Sequence, residues 1–198
     1  MRVTKQRAAE NRERVIDEAA KLFRAKGFDG VGVAELMAAA GLTHGGFYNH
    51  FGSKDDVEAA ALGRVFEHSV ARIAAIAGIE DAAERRRAFA DYCERYVSTT
   101  ARDASAATCP MVAFAGDVSR QAAPVREAYA EGLAAYLKAF VLARGLGRAD
   151  ALRKFATLVG ALTLARSVAG SDAGLSEEVL GAAREQSLPL FTSKAKAL

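Results

Sequence analysis

Residues 41–56 read GLTHGGFYNHFGSKDD and concentrate groups that can do recognition chemistry. Two of the three histidines of the chain, His44 and His50, stand here with Tyr48, Asn49 and Lys54. Between the imidazoles lie two adjacent glycines, Gly45 and Gly46. Each glycine inside a helix costs about 1 kcal/mol relative to alanine, so the pair serves something other than stability. The surrounding side chains donate and accept hydrogen bonds, as base edges and phosphate oxygens require. Catalysis is a poorer fit. Neither Cys93, Cys109 nor any histidine, His68 included, is spaced to make a nucleophile with its base and orienting group. We therefore expect no enzyme activity.

The elements that must position these groups are helices. Val15, Ile16, Ala19, Ala20 and Phe23 fall on one face of a first helix that ends near Lys26. Gly27 followed by Phe28 reads as a left-handed cap with its hydrophobic contact. Val33, Leu36, Met37 and Ala40 share a face on a second helix that stops at Gly41. Thr43 is placed to cap a third helix through about Phe51. Gly52-Ser53 breaks that helix, and Ser53 with Asp56 resembles a capping box.

Two short helices joined by AAGLT make a helix-turn-helix candidate. In that arrangement the second helix enters the major groove with its N-terminal residues at the base edges. Missing side chains at 45 and 46 then let backbone approach the groove floor. His44 is expected at base edges and Asn49 at an adenine. Tyr48, His50 and Lys54 are expected at phosphates, which fix register. Phe47 and Phe51 read as core. Arg2, Lys5 and Arg7 form a short basic arm.

The remaining composition is consistent with an all-α protein. Of 198 residues 51% are hydrophobic, with three prolines and no tryptophan. The net charge is only +3 and the pI about 8.9, so a nucleic-acid surface must be local. Two cysteines without zinc spacing predict neither a disulfide scaffold nor a metal or other cofactor. The N-terminus lacks the apolar core of a signal peptide, and the longest near-apolar run, LVGALTLA at 158–165, is too short for a bilayer. These features predict a soluble cytoplasmic protein with no membrane partner. From Lys54 the pattern stays helical to about Ala77, roughly 35 Å of continuous helix. Further amphipathic segments cover about 81–101, 109–120, 124–144, 148–169 and 175–187, giving about nine helices. A DNA-binding domain at 1–52 and a second domain at 53–198 follow, joined by the long helix.

The stretch GLTHGGFYNHFGSKDDV resembles the signature of the TetR family of one-component regulators, in its THGGFY form. The preceding VIDEAAKLFRAKGFDGVGVAELMAAAG fits the first two helices of that family at matching spacing. The resemblance implies a homodimeric transcriptional regulator, a repressor, that binds a palindromic operator. It further implies release when a small-molecule inducer enters a C-terminal ligand-binding and dimerisation domain. The DNA-contacting set it implies is Thr43, His44, Gly45, Gly46, Tyr48, Asn49, His50 and Lys54. One departure is Gly32, which stands where many members carry Ser or Thr. The backbone amides of Val33 and Ala34 are left to take that phosphate.

In the rear half, small residues at Ala156, Gly160, Ala161 and Ala165 alternate with Leu158, Leu162 and Leu164, and with LSEEVLGAAREQSL they are the dimer-face candidate. An internal core helix is the bland alternative. Phe89, Tyr92, Cys93 and Tyr96 form an inward strip, and Cys109, Met111, Phe114, Tyr136 and Phe140 are candidates to complete an apolar ligand cavity. Cys109 before Pro110 is placed at a helix start, where the dipole favours thiolate. That leaves two alternatives to inducer release from operator DNA: a thiol sensor acting through Cys109, or a helical ligand-binding protein that does not bind DNA.

Overall fold

A computed structural model describes residues 5–104, 109–145 and 147–187. Among them it holds nine α-helices, two 3₁₀ helices and no strand. The α-helices are α1 (Lys5–Lys26), α2 (Val33–Ala39), α3 (Lys54–Ala77), α4 (Ala82–Tyr96), α5 (Thr99–Asp103), α6 (Pro110–Phe114), α7 (Ala123–Arg144), α8 (Arg148–Val168) and α9 (Ala173–Ser187). A 3₁₀ helix, η1, covers His44–Asn49, and a second 3₁₀ turn covers Val118–Arg120.

Contacts divide the chain into two compact units, Met1–Ser69 with Cys109–Ala134 and Val70–Thr108 with Ala135–Leu198. That division differs from the single boundary at residue 52 expected from sequence. Sequence punctuation marks where helices stop, whereas compactness is decided by partners far along the chain. α3 and α7 each begin in one unit and end in the other.

In the first unit, the apolar stripe of α1 is buried at Val15, Ile16, Ala19, Ala20 and Phe23. Gly27 ends the helix at φ +73°, a conformation that costs glycine nothing. The chain then turns Phe28 inward against Phe23, with ring centroids 5.4 Å apart. α6 adds Phe114, stacked on Phe28 at 4.9 Å. A Cβ at Gly132 of α7 would fall 2.3 Å from the Phe66 ring of α3, so glycine is what lets these two helices approach.

In the second unit, α8 and α9 pack on each other, with α4 and α5 against them. The buried Ser176 hydroxyl donates to Ala165 O at 2.8 Å and accepts from Arg102 Nη1 at 3.1 Å. Arg166 Nη2 donates to Ala101 O and Ala104 O at 2.9 and 3.0 Å. These bonds hold the short α5, which its five residues could not stabilise alone. The segments read as 81–101 and 109–120 are each broken in two. Val97 and Ser98 interrupt the first, and Ser98 Oγ restarts it by accepting from Ala101 N at 3.1 Å.

Inward positions of α8 include Leu158, Ala161, Leu162 and Ala165. These were expected at a dimer face and instead fill the core of their own chain. Only Leu164 of the named leucines points out, at 59% exposure.

Candidate nucleic-acid interface

The turn that presents the site is built by α2. Gly41 sits at φ +68°, Gly41 N donates to Ala38 O at 2.9 Å and Leu42 N donates to Met37 O at 2.8 Å. These bonds satisfy terminal carbonyls and redirect the chain. η1 then packs on α2 and anchors itself by Phe47, 1% exposed. Phe51 lies against Phe47 at 5.5 Å and is roofed by the Arg12 guanidinium at 5.0 Å. Both phenylalanines are core, as their spacing predicts.

Two expectations fail here. The third helix is 3₁₀ rather than α, and Thr43, though its N-cap, makes no side-chain cap bond. The physical reason lies in Gly45 and Gly46. They withhold helix propensity at the point where an uncapped first turn most needs it, so the tighter Gly46 N to Thr43 O bond, 3.0 Å, takes over.

Most of the polar side chains are nevertheless exposed. Thr43, His44, Gly45, Tyr48 and Asn49 are exposed, while Gly46 and His50 are half-buried. Tyr48 is 73% exposed, with its ring edge-on to Phe47 at 5.3 Å. The glycines are informative. Neither has positive φ. A Cβ at Gly45 would meet nothing within 4 Å, and one at Gly46 would reach only Met37 Cε at 3.6 Å and Thr43 Oγ1 at 3.8 Å. Nothing among the described residues requires glycine at either position.

α3 begins where sequence places it. Gly52 N and Ser53 N both donate to Asp56 Oδ2 at 3.0 Å, and Asp56 N donates to Ser53 Oγ at 3.1 Å. That is a reciprocal capping box with aspartate in the glutamate place. Lys54 departs from its expected orientation. Its ammonium donates to Phe28 O at 2.8 Å, pairs with Glu58 at 3.1 Å and lies over the Phe23 ring at 6.0 Å. Glu58 is 2% exposed. Burial pushes its carboxyl above the ordinary range, against the lowering from Lys54. Lys54 therefore ties the start of α3 to the loop after α1. At α2, Gly32 is the N-cap without a side-chain bond, as expected. Of the basic arm, Lys5 and Arg7 already lie within α1, and Arg2 lies outside the described residues.

The cavity candidates separate. Cys109, Met111 and Phe114 belong to the first unit, where Cys109 is the half-buried N-cap of α6 and the other two are core. Phe89, Tyr92, Cys93, Tyr96, Tyr136 and Phe140 come together in the second. There Tyr92 and Tyr136 share a hydroxyl hydrogen bond of 2.5 Å, and Phe89 meets Phe140 edge-on at 5.0 Å. Sequence reading missed three members of this cluster: Phe155, 5.2 Å from Tyr136, and the buried cations Arg144 and Lys154. Their signal was present in the spacing, since Lys154 falls on the stripe of Ala151 and Leu158.

Comparison with known proteins meets this geometry. Residues 15–61 match the family described as bacterial regulatory proteins, tetR family, a span that runs from the α1 core stripe to Ala61 of α3. The HTH-type transcriptional regulator AcrR of Shigella flexneri is 41% identical over 56 residues, which are 28% of this chain and 26% of AcrR. The chain thus spans about a quarter of the curated relative it matches. A TetR transcriptional regulator from Chloroflexus aurantiacus J-10-FL superposes with a TM-score of 0.73 at 24% identity, over 95% of this chain and 97% of that one. The reduced form of E. coli NemR gives 0.72 at 21%, over 89% and 96%. These structural likenesses concern the fold.

Proposed function

Starting from a chain that carries a tetR-family domain at residues 15–61 and follows the fold of tetR-type regulators along its length, we propose that it is a homodimeric transcriptional repressor. It reads a palindromic operator through η1 and is released by a small molecule bound in the second unit. The observation that carries this is the Gly45-Gly46 pair. The described residues have no use for it, yet it stands among exposed polar residues of η1. A closely approaching partner explains it, and a groove floor is such a partner. On this reading His44 and Asn49 meet base edges, and Tyr48, His50 and Thr43 meet phosphates. Lys54 acts by holding α3 in place. Its side chain is part-exposed, and phosphate contact and framework role are separable by experiment.

Dimerisation is proposed through the outward faces of α8 and α9, where Leu164 and Leu175 are exposed. Two reading heads on one duplex require half-sites about one helical turn apart or a multiple of it.

Selection from random duplex DNA with the purified protein tests the reading. An inverted repeat should emerge, and its affinity should fall steeply with salt as phosphate contacts release counterions. Failure to enrich any sequence, with no duplex binding at low salt, would overturn it.

A second reading concerns release. NemR was captured in a form named as reduced, and Cys109 of this chain is accessible at the start of α6, in the same compact unit as η1. Modification at Cys109 would reach the reading head through Phe114 stacked on Phe28. Operator release by a small quinone in wild type but not in Cys109→Ser would favour it. Equal behaviour of the two proteins would end it.

A further inference from the structure

The stripe that α1 turns inward, Phe23, Ala19, Ile16 and Val15, reaches residue 12 one turn nearer the N-terminus. An apolar side chain is expected there, and an arginine stands in its place. Its guanidinium carbon lies 5.0 Å from the centroid of the Phe51 ring, so a charge covers the end of the core. Phe51 in turn lies 5.5 Å from Phe47 of η1 and 6.4 Å from the His50 imidazole. Arg12 and His50 therefore border one ring, although α1 carries the first and the end of η1 the second.

The cations around it are committed inside the fold. Lys21 pairs with Glu18 at 2.7 Å, Lys26 with Glu35 at 2.5 Å and Lys54 with Glu58 at 3.1 Å. Arg64 of α3 donates to both Glu13 and Asp17 of α1. Arg12 is different. Its carboxylate neighbour among the described residues is Glu13 at 3.8 Å, beyond hydrogen-bond distance, and the other oxygen of Glu13 is the one that Arg64 holds. The Arg12 side chain is 43% exposed. A guanidinium seated on an aromatic face has already lost part of its rotamer freedom, and its planar fork matches the oxygens of a phosphate. Arg12 is thus a preorganised anion contact beside the two rings that seat η1.

We propose that Arg12 is a backbone contact of the operator-binding surface, its guanidinium held over Phe51 to take a phosphate of the same duplex that η1 reads. The proposal rests on the DNA-binding reading above and adds α1 to the elements that touch the duplex. Such a contact serves affinity and register rather than base choice. No local pattern in the sequence marks it, because the ring that holds the guanidinium comes from the far side of the helix-turn-helix.

The test is titration of a fluorescein-labelled mixed-sequence duplex with the full-length protein over a range of salt concentrations, since phosphate contacts need no particular sequence. Arg12→Met keeps an unbranched apolar side chain beside Phe51 and removes the charge. It should melt close to wild type and bind about ten-fold more weakly at low salt, the worth of a charge-assisted hydrogen bond. Its salt slope should be shallower by roughly one for each subunit bound. Arg12→Lys should keep most of the slope. An Arg12→Met protein that binds more weakly with an equally steep slope would show a packing role on Phe51 and overturn the proposal, as would unchanged binding. Should Arg12→Met fail to fold, wild type decides. Modification of Arg12 by phenylglyoxal, located by mass spectrometry, must slow when the duplex is bound, and an unchanged rate would overturn the idea. Wild type that binds no duplex at low salt defeats the regulator reading and this contact together. Wild type that binds, while Arg12→Met keeps its slope, defeats this contact alone.

Discussion

A methyl group on Gly45 would touch nothing among the described residues, which makes that position a probe of the partner. Gly45→Ala should leave stability unchanged or raise it by up to about 1 kcal/mol, while operator affinity falls. Gly45→Leu should all but abolish binding with the melt intact. Duplex titration beside thermal unfolding checks both, and full affinity in the leucine variant would sink the groove-floor explanation. This anomaly was legible in sequence because glycine is costly wherever a helix is otherwise well made. The direction of Lys54 was not. Its hydrogen-bond partner, Phe28 O, lies 26 residues away, and no local pattern encodes that. Cys93 offers a second test at this scale. Folding raises its pKa from 9.0 to about 12, chiefly by burial. Between those values the folded state keeps a proton that the unfolded chain has released. Stability from this group therefore falls as pH climbs past about 9, by at most about 1.4 kcal/mol per pH unit. In urea melts from pH 9 to 11, Cys93→Ala should lose stability less steeply than wild type. Parallel profiles would mean that the thiol ionises freely in the fold.

Helix ends were readable wherever a cap residue announces itself. Gly27, Gly41 and the Ser53–Asp56 box all act as their types predict. What escaped were the elements whose form is settled by a balance of small effects. η1 is 3₁₀ because two glycines and an unused Thr43 hydroxyl leave the α form undersupported. α5 persists only because Arg166 and Ser98 hold its carbonyls and amides. The junction of α1 and α3 carries its own prediction. Lys54→Ala removes the cation from Glu58, which is buried. Because the lysine side chain is itself 31% exposed, the loss should be on the order of 1–3 kcal/mol rather than the full cost of a broken interior pair. Lys54 attracts only the ionised carboxylate, whose pKa is already raised by burial. The destabilisation should therefore be larger at pH 8 than at pH 5, and Glu58→Gln in the same background should recover part of it. Melts at the two pH values read this directly. If stability is unchanged and the salt slope of operator binding drops by roughly one, Lys54 contacts a phosphate instead.

For the whole molecule, sequence showed that α8 and α9 have more apolar surface than a solvated helix needs, without showing which side each residue takes. Periodicity counts apolar positions, but both a core stripe and a subunit interface are written in the same alphabet. The structure separates them on α8. Leu162 is 2% exposed and Leu164 59%, two residues apart and on different sides. Lone exposed leucines are ordinary on monomers, so Leu164 with Leu175 gains meaning only from the proposed dimer. If that dimer uses the outward face, Leu164→Glu places a charge in an apolar contact while sparing the core. It should yield a folded, soluble monomer by sedimentation, with a melt close to that of dilute wild type. Operator affinity should collapse, because each half-site is then bound independently and the second head no longer arrives at high local concentration. Leu162→Glu must behave differently. A carboxylate at a position only 2% exposed loses its hydration, so the chain should unfold or precipitate. A Leu164→Glu protein that remains dimeric and binds the operator as wild type does would place the interface on another surface. Monomers from Leu164→Glu together with unfolding in Leu162→Glu would show that α8 works on both sides, packing its own chain with one face and its partner with the other.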